Sequence, residues 1–325
     1  MSTFVDMHRS DFNVGVGDGS FADILWRDQA GDDVLWIMHN DTPNLTQGGM
    51  AVLPTVTPDW HFKAAADFDA GGPGNADILW QNDNGGLALW QMDGTTVSAI
   101  NALPNPGSAW HVVGDNDFSG DSADDILFQN DNGALALWTI TDAGIPTISG
   151  MFAGTQTPGP TWHVVGTGDT NNNGTADILW QHDNGALVLW RNPTFAADTF
   201  TFNSVVAEPA VDASWHVKGM QDINGNGTAD IVFQNDDGAV VVWQMGAMGV
   251  LAMNLVNINP GPSWHIVGLR DMDHDTRIDI LFQNDNGAAA IWEDYQSLGG
   301  GSATFNTVLA ITPDPNPNGH VWDLL

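Results

Sequence analysis

Apolar and polar positions along this chain follow one pattern, written six times. A short run of the DILWQ type, apolar at nearly every position, is followed by an Asn/Asp/Gly turn and a second run of the ALALW type. The copies read ADILWRDQAGDDVLWIM (22–38), ADILWQNDNGGLALWQM (76–92), DDILFQNDNGALALWTI (124–140), ADILWQHDNGALVLWRN (176–192), ADIVFQNDDGAVVVWQM (229–245) and IDILFQNDNGAAAIWED (278–294). Runs of this length between turn-forming clusters predict β-strands, and their lack of alternation predicts that both faces are covered. The NDNG segment predicts a tight hairpin.

Upstream of five copies lies a Trp-His strand, and downstream a weaker run such as Val97–Leu103, Thr147–Phe152 or Thr304–Ile311. Four strands recurring every ~50 residues predict sheets stacked face to face around an axis. The expected fold is all-β, a six-bladed β-propeller of four-stranded antiparallel blades, with a seven-bladed ring, an open array or a β-solenoid as alternatives. One domain covers 1–325, with repeats at 1–56, 57–106, 107–158, 159–211, 212–260 and 261–318 and a closing strand at 319–325. In the phase of the other units, Trp322 to Leu325 supply the start of one innermost strand and His8 to Asp11 its end. Alternatively, Phe4 to Ser10 form that strand alone.

Composition narrows the function. Seven Lys and Arg against forty Asp and Glu give a net charge of −33, and only Glu208 and Glu293 among the acids are glutamates. Asp and Asn favour turns and metal loops over helix surfaces, in keeping with an all-β chain. So acidic a protein repels phosphate backbones and anionic lipid, which argues against nucleic-acid binding. No apolar stretch is long enough for membrane insertion. The absence of cysteine excludes disulfides and thiolate chemistry. The start of the chain lacks a signal-peptide pattern, so a secreted or cell-surface location implies an export route not visible here.

Between strands one and two each unit carries an Asp/Asn loop. Oxygen side chains fall at positions 1, 3, 5 and 9 in Asp117, Ser119, Asp121 and Asp125; in Asp169, Asn171, Asn173 and Asp177; in Asp222, Asn224, Asn226 and Asp230; and in Asp271, Asp273, Asp275 and Asp279. Such spacing curls oxygens around one point, as calcium requires. Asp11, Asn13 and Asp23 span four residues too many, and Asp67, Asp69 and Asp77 two too many. With Ca²⁺ in all six loops the net charge would fall from −33 to −21. The D-x-[DN]-x-[DN]-G-x-x-D loop before a DILW-type strand resembles the FG-GAP repeat, also called VCBS-type, of integrin α-subunit propellers, bacterial surface proteins and fungal lectins. The resemblance implies calcium in these loops and ligand recognition elsewhere on the ring, and the first two loops depart from it.

The strand-three tryptophans, Trp36, Trp90, Trp138, Trp190, Trp243 and Trp292, are expected to pack between blades. At the opposite end, strand one starts beside the strand-two to strand-three hairpin. This gathers Trp60, His61 and Asp83; Trp110, His111 and Asp131; Trp162, His163 and Asp183; Trp215, His216 and Asp236; and Trp264, His265 and Asp285. An aromatic face beside polar hydrogen-bonding groups suits a sugar. His182 and Arg27-Asp28 interrupt the hairpin pattern and are read as places where such sites differ. No catalytic motif is present, so an enzyme is not expected. The expected function is a calcium-stabilised, multivalent carbohydrate-binding module of lectin type, the alternative being a protein-interaction or adhesion scaffold whose repeats are purely structural.

Overall fold

The computed structural model describes residues 23–28, 32–41, 44–68, 76–141, 146–273, 275, 277–311 and 322–324. Asp11, Asn13, Asp69 and the expected His8–Asp11 strand segment lie outside them. The described residues are all β, and no helix among them is long and apolar enough to cross a membrane.

The strands follow the six copies in order. They are β1 (Ile24–Asp28), β2 (Asp33–Asp41) and β3 (Asn44–Val52); then β4 (Trp60–Ala66), β5 (Asp77–Asn82), β6 (Leu87–Asp93) and β7 (Thr96–Leu103). The third unit holds β8 (Trp110–Asn116), β9 (Asp125–Asn130), β10 (Leu135–Thr141) and β11 (Thr147–Gly154). The fourth holds β12 (Trp162–Gly168), β13 (Asp177–His182), β14 (Leu187–Ala196) and β15 (Thr199–Glu208). The fifth holds β16 (Trp215–Gln221), β17 (Asp230–Asn235), β18 (Val240–Gly246) and β19 (Gly249–Val256). The sixth holds β20 (Trp264–Arg270), β21 (Asp279–Asn284), β22 (Ala289–Gly299) and β23 (Ser302–Ile311), and β24 (Trp322–Leu324) follows.

Within a unit consecutive strands pair antiparallel. The first unit borrows its inner strand, giving the order β24-β1-β2-β3. Trp322, Asp323 and Leu324 oppose Asp28, Arg27 and Trp26, the same register in which Trp60, His61 and Phe62 oppose Asn82, Gln81 and Trp80. The C-terminal residues therefore occupy the phase read from the sequence.

Burial explains the apolar runs. Every residue of β5 is buried, whereas β7 and β11 alternate, as strands at a solvated edge do. The strand-three tryptophans are 3–8% exposed, and each joins an apolar cluster with the preceding unit. Trp138 sits with Leu79 and Leu89, Trp243 with Leu179 and Leu189, and Trp36 with Leu281 and Ile291 of the sixth unit. Consecutive sheets thus pack face to face, and the last packs on the first, a propeller-like arrangement.

One pairing was not expected. Outer strand β15 pairs parallel with β11 at Ala153–Thr199, and β23 with β19 at Leu255–Ser302, fusing units three and four, and five and six, into eight-stranded sheets. The cause is length. The β14–β15 and β22–β23 hairpins are extended, so their outer strands reach the preceding unit.

The hairpin turns are fixed by contact as well as by conformation. Gly133 has φ 86°, and its N–H donates to the Asn130 carbonyl at 2.7 Å. A Cβ there would strike the backbone of Gly159, in the segment leading to the next unit.

Candidate functional site

Each unit presents chemistry at two ends. At the loop end, Asp23 immediately precedes strand two of the first unit, and Asp77, Asp125, Asp177, Asp230 and Asp279 open strand two of the others, all buried. In five of them Oδ1 accepts an N–H from the end of strand three: Met38 at 3.2 Å, Met92 at 2.9 Å, Ile140 at 3.0 Å, Asn192 at 3.3 Å and Met245 at 2.9 Å. The other oxygen faces the loop. Asp125 accepts from the Phe118 and Ser119 amides, Asp230 from Asn224 Nδ2 at 2.6 Å, and Asp279 from the Met272 amide at 2.8 Å. Asp177 accepts from the Thr170 amide and hydroxyl and from Asn171 Nδ2.

In the third, fourth and fifth units the first aspartate of the loop is engaged in the same way. Asp117 takes the amides of Gly120, Asp121 and Ser122, Asp169 those of Asn171, Asn173 and Gly174, and Asp222 those of Asn226 and Gly227. Positions 1 and 9 are therefore turn-forming acceptors that tie the loop to strands two and three. Burial pushes Asp125 and Asp230 up to about 8 and Asp279 up to about 9. Asp177 rises only to about 6, because bonds from Thr170 and the Arg191 guanidinium oppose its burial. Among the described residues, Asp271, Asp273 and Asp275 form a group close enough to share an ion, with carboxylate oxygens within 4.8 Å of one another.

At the hairpin end the structure brings each His and Asp of the sequence reading together. Nε2 of His61 lies 2.7 Å from Asp83 Oδ1, and the pairs His111–Asp131, His163–Asp183, His216–Asp236 and His265–Asp285 lie at 2.8 Å. All ten side chains are more than half exposed. The neighbouring tryptophans are half-buried and pack on the apolar clusters; Trp162 also meets the His182 ring edge-on at 4.9 Å. The turn amides are spent internally. Asn82 Oδ1 accepts the Asn84 amide, Asn84 Oδ1 the Gly86 amide, and Asn82 Nδ2 donates to Asp59 at 2.7 Å.

Sequence reasoning missed two groups. The strand-two glutamines clamp the next unit: Gln81 Nε2 donates to the Trp110 carbonyl at 2.8 Å while Oε1 accepts the Val112 amide at 3.0 Å. Gln129 and Gln234 repeat this on Trp162 and Val164 and on Trp264 and Ile266. Arg27 serves the same purpose in the first unit, donating to the Trp60 carbonyl at 2.6 Å and lying over the Trp80 ring. It is an inter-unit clamp, which corrects its reading as the mark of an altered ligand site.

The second group follows the strand-three tryptophan, where the copies carry Ile37, Gln91, Thr139, Arg191, Gln244 and Glu293. That variability inside an otherwise uniform repeat was the available signal. Arg191 is 3% exposed; its Nε lies 3.8 Å from Asp177 Oδ2, and its guanidinium donates to the Ala247 carbonyl of the next unit at 3.0 Å. Glu293 is 6% exposed, and its Oε1 has no hydrogen-bond partner.

A cavity of about 360 Å³ opens in the fifth unit, lined by Trp215, Phe233, Trp243, Met253, Leu255 and Asp212 among others. Its size falls in the range of small-molecule pockets.

These features define a β-propeller-like repeat protein with one polar loop end and one aromatic hairpin end. No family model matches the chain, and no curated protein matches it. Among solved structures the WD40 β-propeller domain of Doa1 is similar over 96% of this chain and 84% of that one, at 13% identity and a TM-score of 0.46. A likeness at this level carries nothing about family, ligand or partner.

Proposed function

We propose that the protein is an interaction module, a ring of six blades closed by β24 that binds a partner protein through its hairpin end. The observation that carries this reading is the five-fold repetition of an exposed His–Asp pair beside a half-buried tryptophan. A sugar would need free donors and acceptors in a concave site. Here the turn amides and aspartates already bond one another, which leaves a broad, partly satisfied polar surface with aromatic edges, suited to a protein interface.

The test is capture from an extract of the source organism on immobilised protein, comparing the parent with a variant in which His61, His111, His163, His216 and His265 are all alanine. Retention of a defined protein by the parent alone supports the reading, and equal retention by both removes it. Ring closure has its own test: deleting residues 319–325 should abolish cooperative unfolding, and an unchanged melting curve would refute it.

A carbohydrate ligand is the second reading, favoured by the Trp215- and Trp243-lined cavity of the fifth unit. A glycan screen in which Trp215→Ala alone abolishes binding would establish it over the first.

A further inference from the structure

The only two lysines of the chain occupy equivalent places. Lys63 and Lys218 each stand three residues after the strand-one tryptophan, in units two and five. Both are the extra residue of a β-bulge. Phe62 opposes Trp80 and Ala64 opposes Leu79, while Val217 opposes Phe233 and Gly219 opposes Val232, so the lysine in between has no partner on strand two. The same bulge holds Val113, Val165 and Val267 in units three, four and six. All five side chains are half-buried. Strand one therefore suits an apolar residue at this position, and in two units it carries a charge instead.

These strands are the innermost ones. β4, β8, β12, β16 and β20 each end a sheet, yet neighbours among them approach within 8 Å between Cα atoms. Just after the bulge the approach is tight: a Cβ on Gly114 would lie 2.6 Å from Thr167 Cγ2, and one on Gly166 2.9 Å from Met220 Cγ. In the ring of six proposed above, on which this inference rests, units two and five stand opposite each other. Six strands at that spacing put opposite backbones at most ~16 Å apart, so two lysine stems of ~6 Å each leave ~4 Å between the ammonium groups. Among the described residues neither ammonium has a hydrogen-bond or ion-pair partner, and burial alone acts on both, holding them below the usual lysine range. Besides the histidines, the other charged residues of these five strands are Asp115 and Arg270, five and six residues after their tryptophans. A half-buried ammonium without a counter-charge costs stability, and two that face each other cost more.

We propose that Lys63 and Lys218 form one anion site on the axis of the ring, holding a small oxyanion of two or more charges, of the phosphate or dicarboxylate type, between their ammonium groups. Each ammonium offers three donors and no acceptor, which matches such an ion. Val113, Val165 and Val267 supply an apolar wall, beside which the attraction is stronger than in water. The net charge of −33 repels an anionic polymer, so the ligand is a small ion.

The full chain, titrated in a calorimeter with sodium phosphate and separately with sodium malonate at about pH 8, where histidine is neutral, should take up one anion per chain. Heat with one of the two names the ligand type, and either result supports the site. Lys63→Val together with Lys218→Val gives units two and five the residue of units three, four and six. This variant should melt at or above the parent in anion-free buffer and bind neither anion. Each single replacement should weaken binding about 10–100-fold. Should the double variant fail to fold, ¹³C-methylation of the parent gives one resonance per lysine, and both should shift with a common midpoint as anion is added. No uptake by the parent, or full uptake by the double variant, would overturn the site. Two independent anions, each lost with one lysine alone, would overturn the shared site. Either of these, with cooperative unfolding still abolished by deletion of residues 319–325, would leave the closed ring standing.

Discussion

The loops of units four and six sit on the same scaffold. Each is followed by a long strand three, ten residues in β14 and eleven in β22, and each carries a left-handed residue just after the strand-three position 191 or 293, Asn192 at φ 59° and Asp294 at φ 61°. Each sends its outer strand to pair with the preceding unit. Yet one loop is balanced by amides and a guanidinium, while the other accumulates acid. The backbone needs only the aspartates at positions 1 and 9, which cap loop and strand amides. What neutralises them is a separate choice, open to a side chain, a proton or an ion.

The largest expected effect comes from Arg191→Ala. It removes the buried partner of Asp177 and the bonds to Ala247 and should cost about 3–5 kcal/mol in urea unfolding. Glu293→Gln in chelator should have the opposite sign, because it relieves crowding. Destabilisation by both would erase the contrast between the units.

Next comes pH. Units three and five lie between the extremes, with neutral Thr139 and Gln244 where the others carry Arg191 and Glu293. Burial raises Asp125 and Asp230 from 3.8 to about 8, so the folded state holds more protons than the unfolded one across that window. Stability is then fully present below about pH 4 and lost as pH rises towards 8. Metal-free protein should melt higher at pH 5 than at pH 8, and a flat profile would show these carboxylates ionised in the fold.

A smaller effect is expected at Asn173. Its replacement by Ala removes the bond to Asn192 and should cost about 1 kcal/mol, while Asn173→Asp should cost more, since it sets a carboxylate against the Asn192 oxygen. The smallest change belongs to the other end: His163→Ala breaks an exposed pair and should shift stability by less than about 1 kcal/mol. A larger loss there would mean that the hairpin end holds the blade together and is not free for a partner.

Strand order, the buried tryptophans and the C-terminal strand were legible because repetition makes each position visible several times. Trp322 could be placed beside Asp28 by counting alone, in the register that Trp60 and Asn82 share. The His–Asp pairing was legible as proximity. A hydrogen bond from the histidine to the neighbouring hairpin was legible as the alternative to a free ligand group, though composition alone cannot choose between a side chain offered to a ligand and one already satisfied. The parallel β11–β15 pairing escaped because it depends on how far a hairpin reaches. Arg191 and Glu293 were not legible for an opposite reason: the repeat pattern is carried by what the copies share, and their chemistry lies where the copies differ.

The borrowed inner strand also has a consequence in time. β1 is synthesised before its partner β24, which follows 298 residues later, counting from Trp26 to Leu324. At ~5–20 residues per second, that is a wait of ~15–60 s. Throughout it, one side of β1 offers unpaired amides and carbonyls to any extended chain nearby. A ribosome stalled before residue 322 would therefore hold the six units with an adhesive rim along β1.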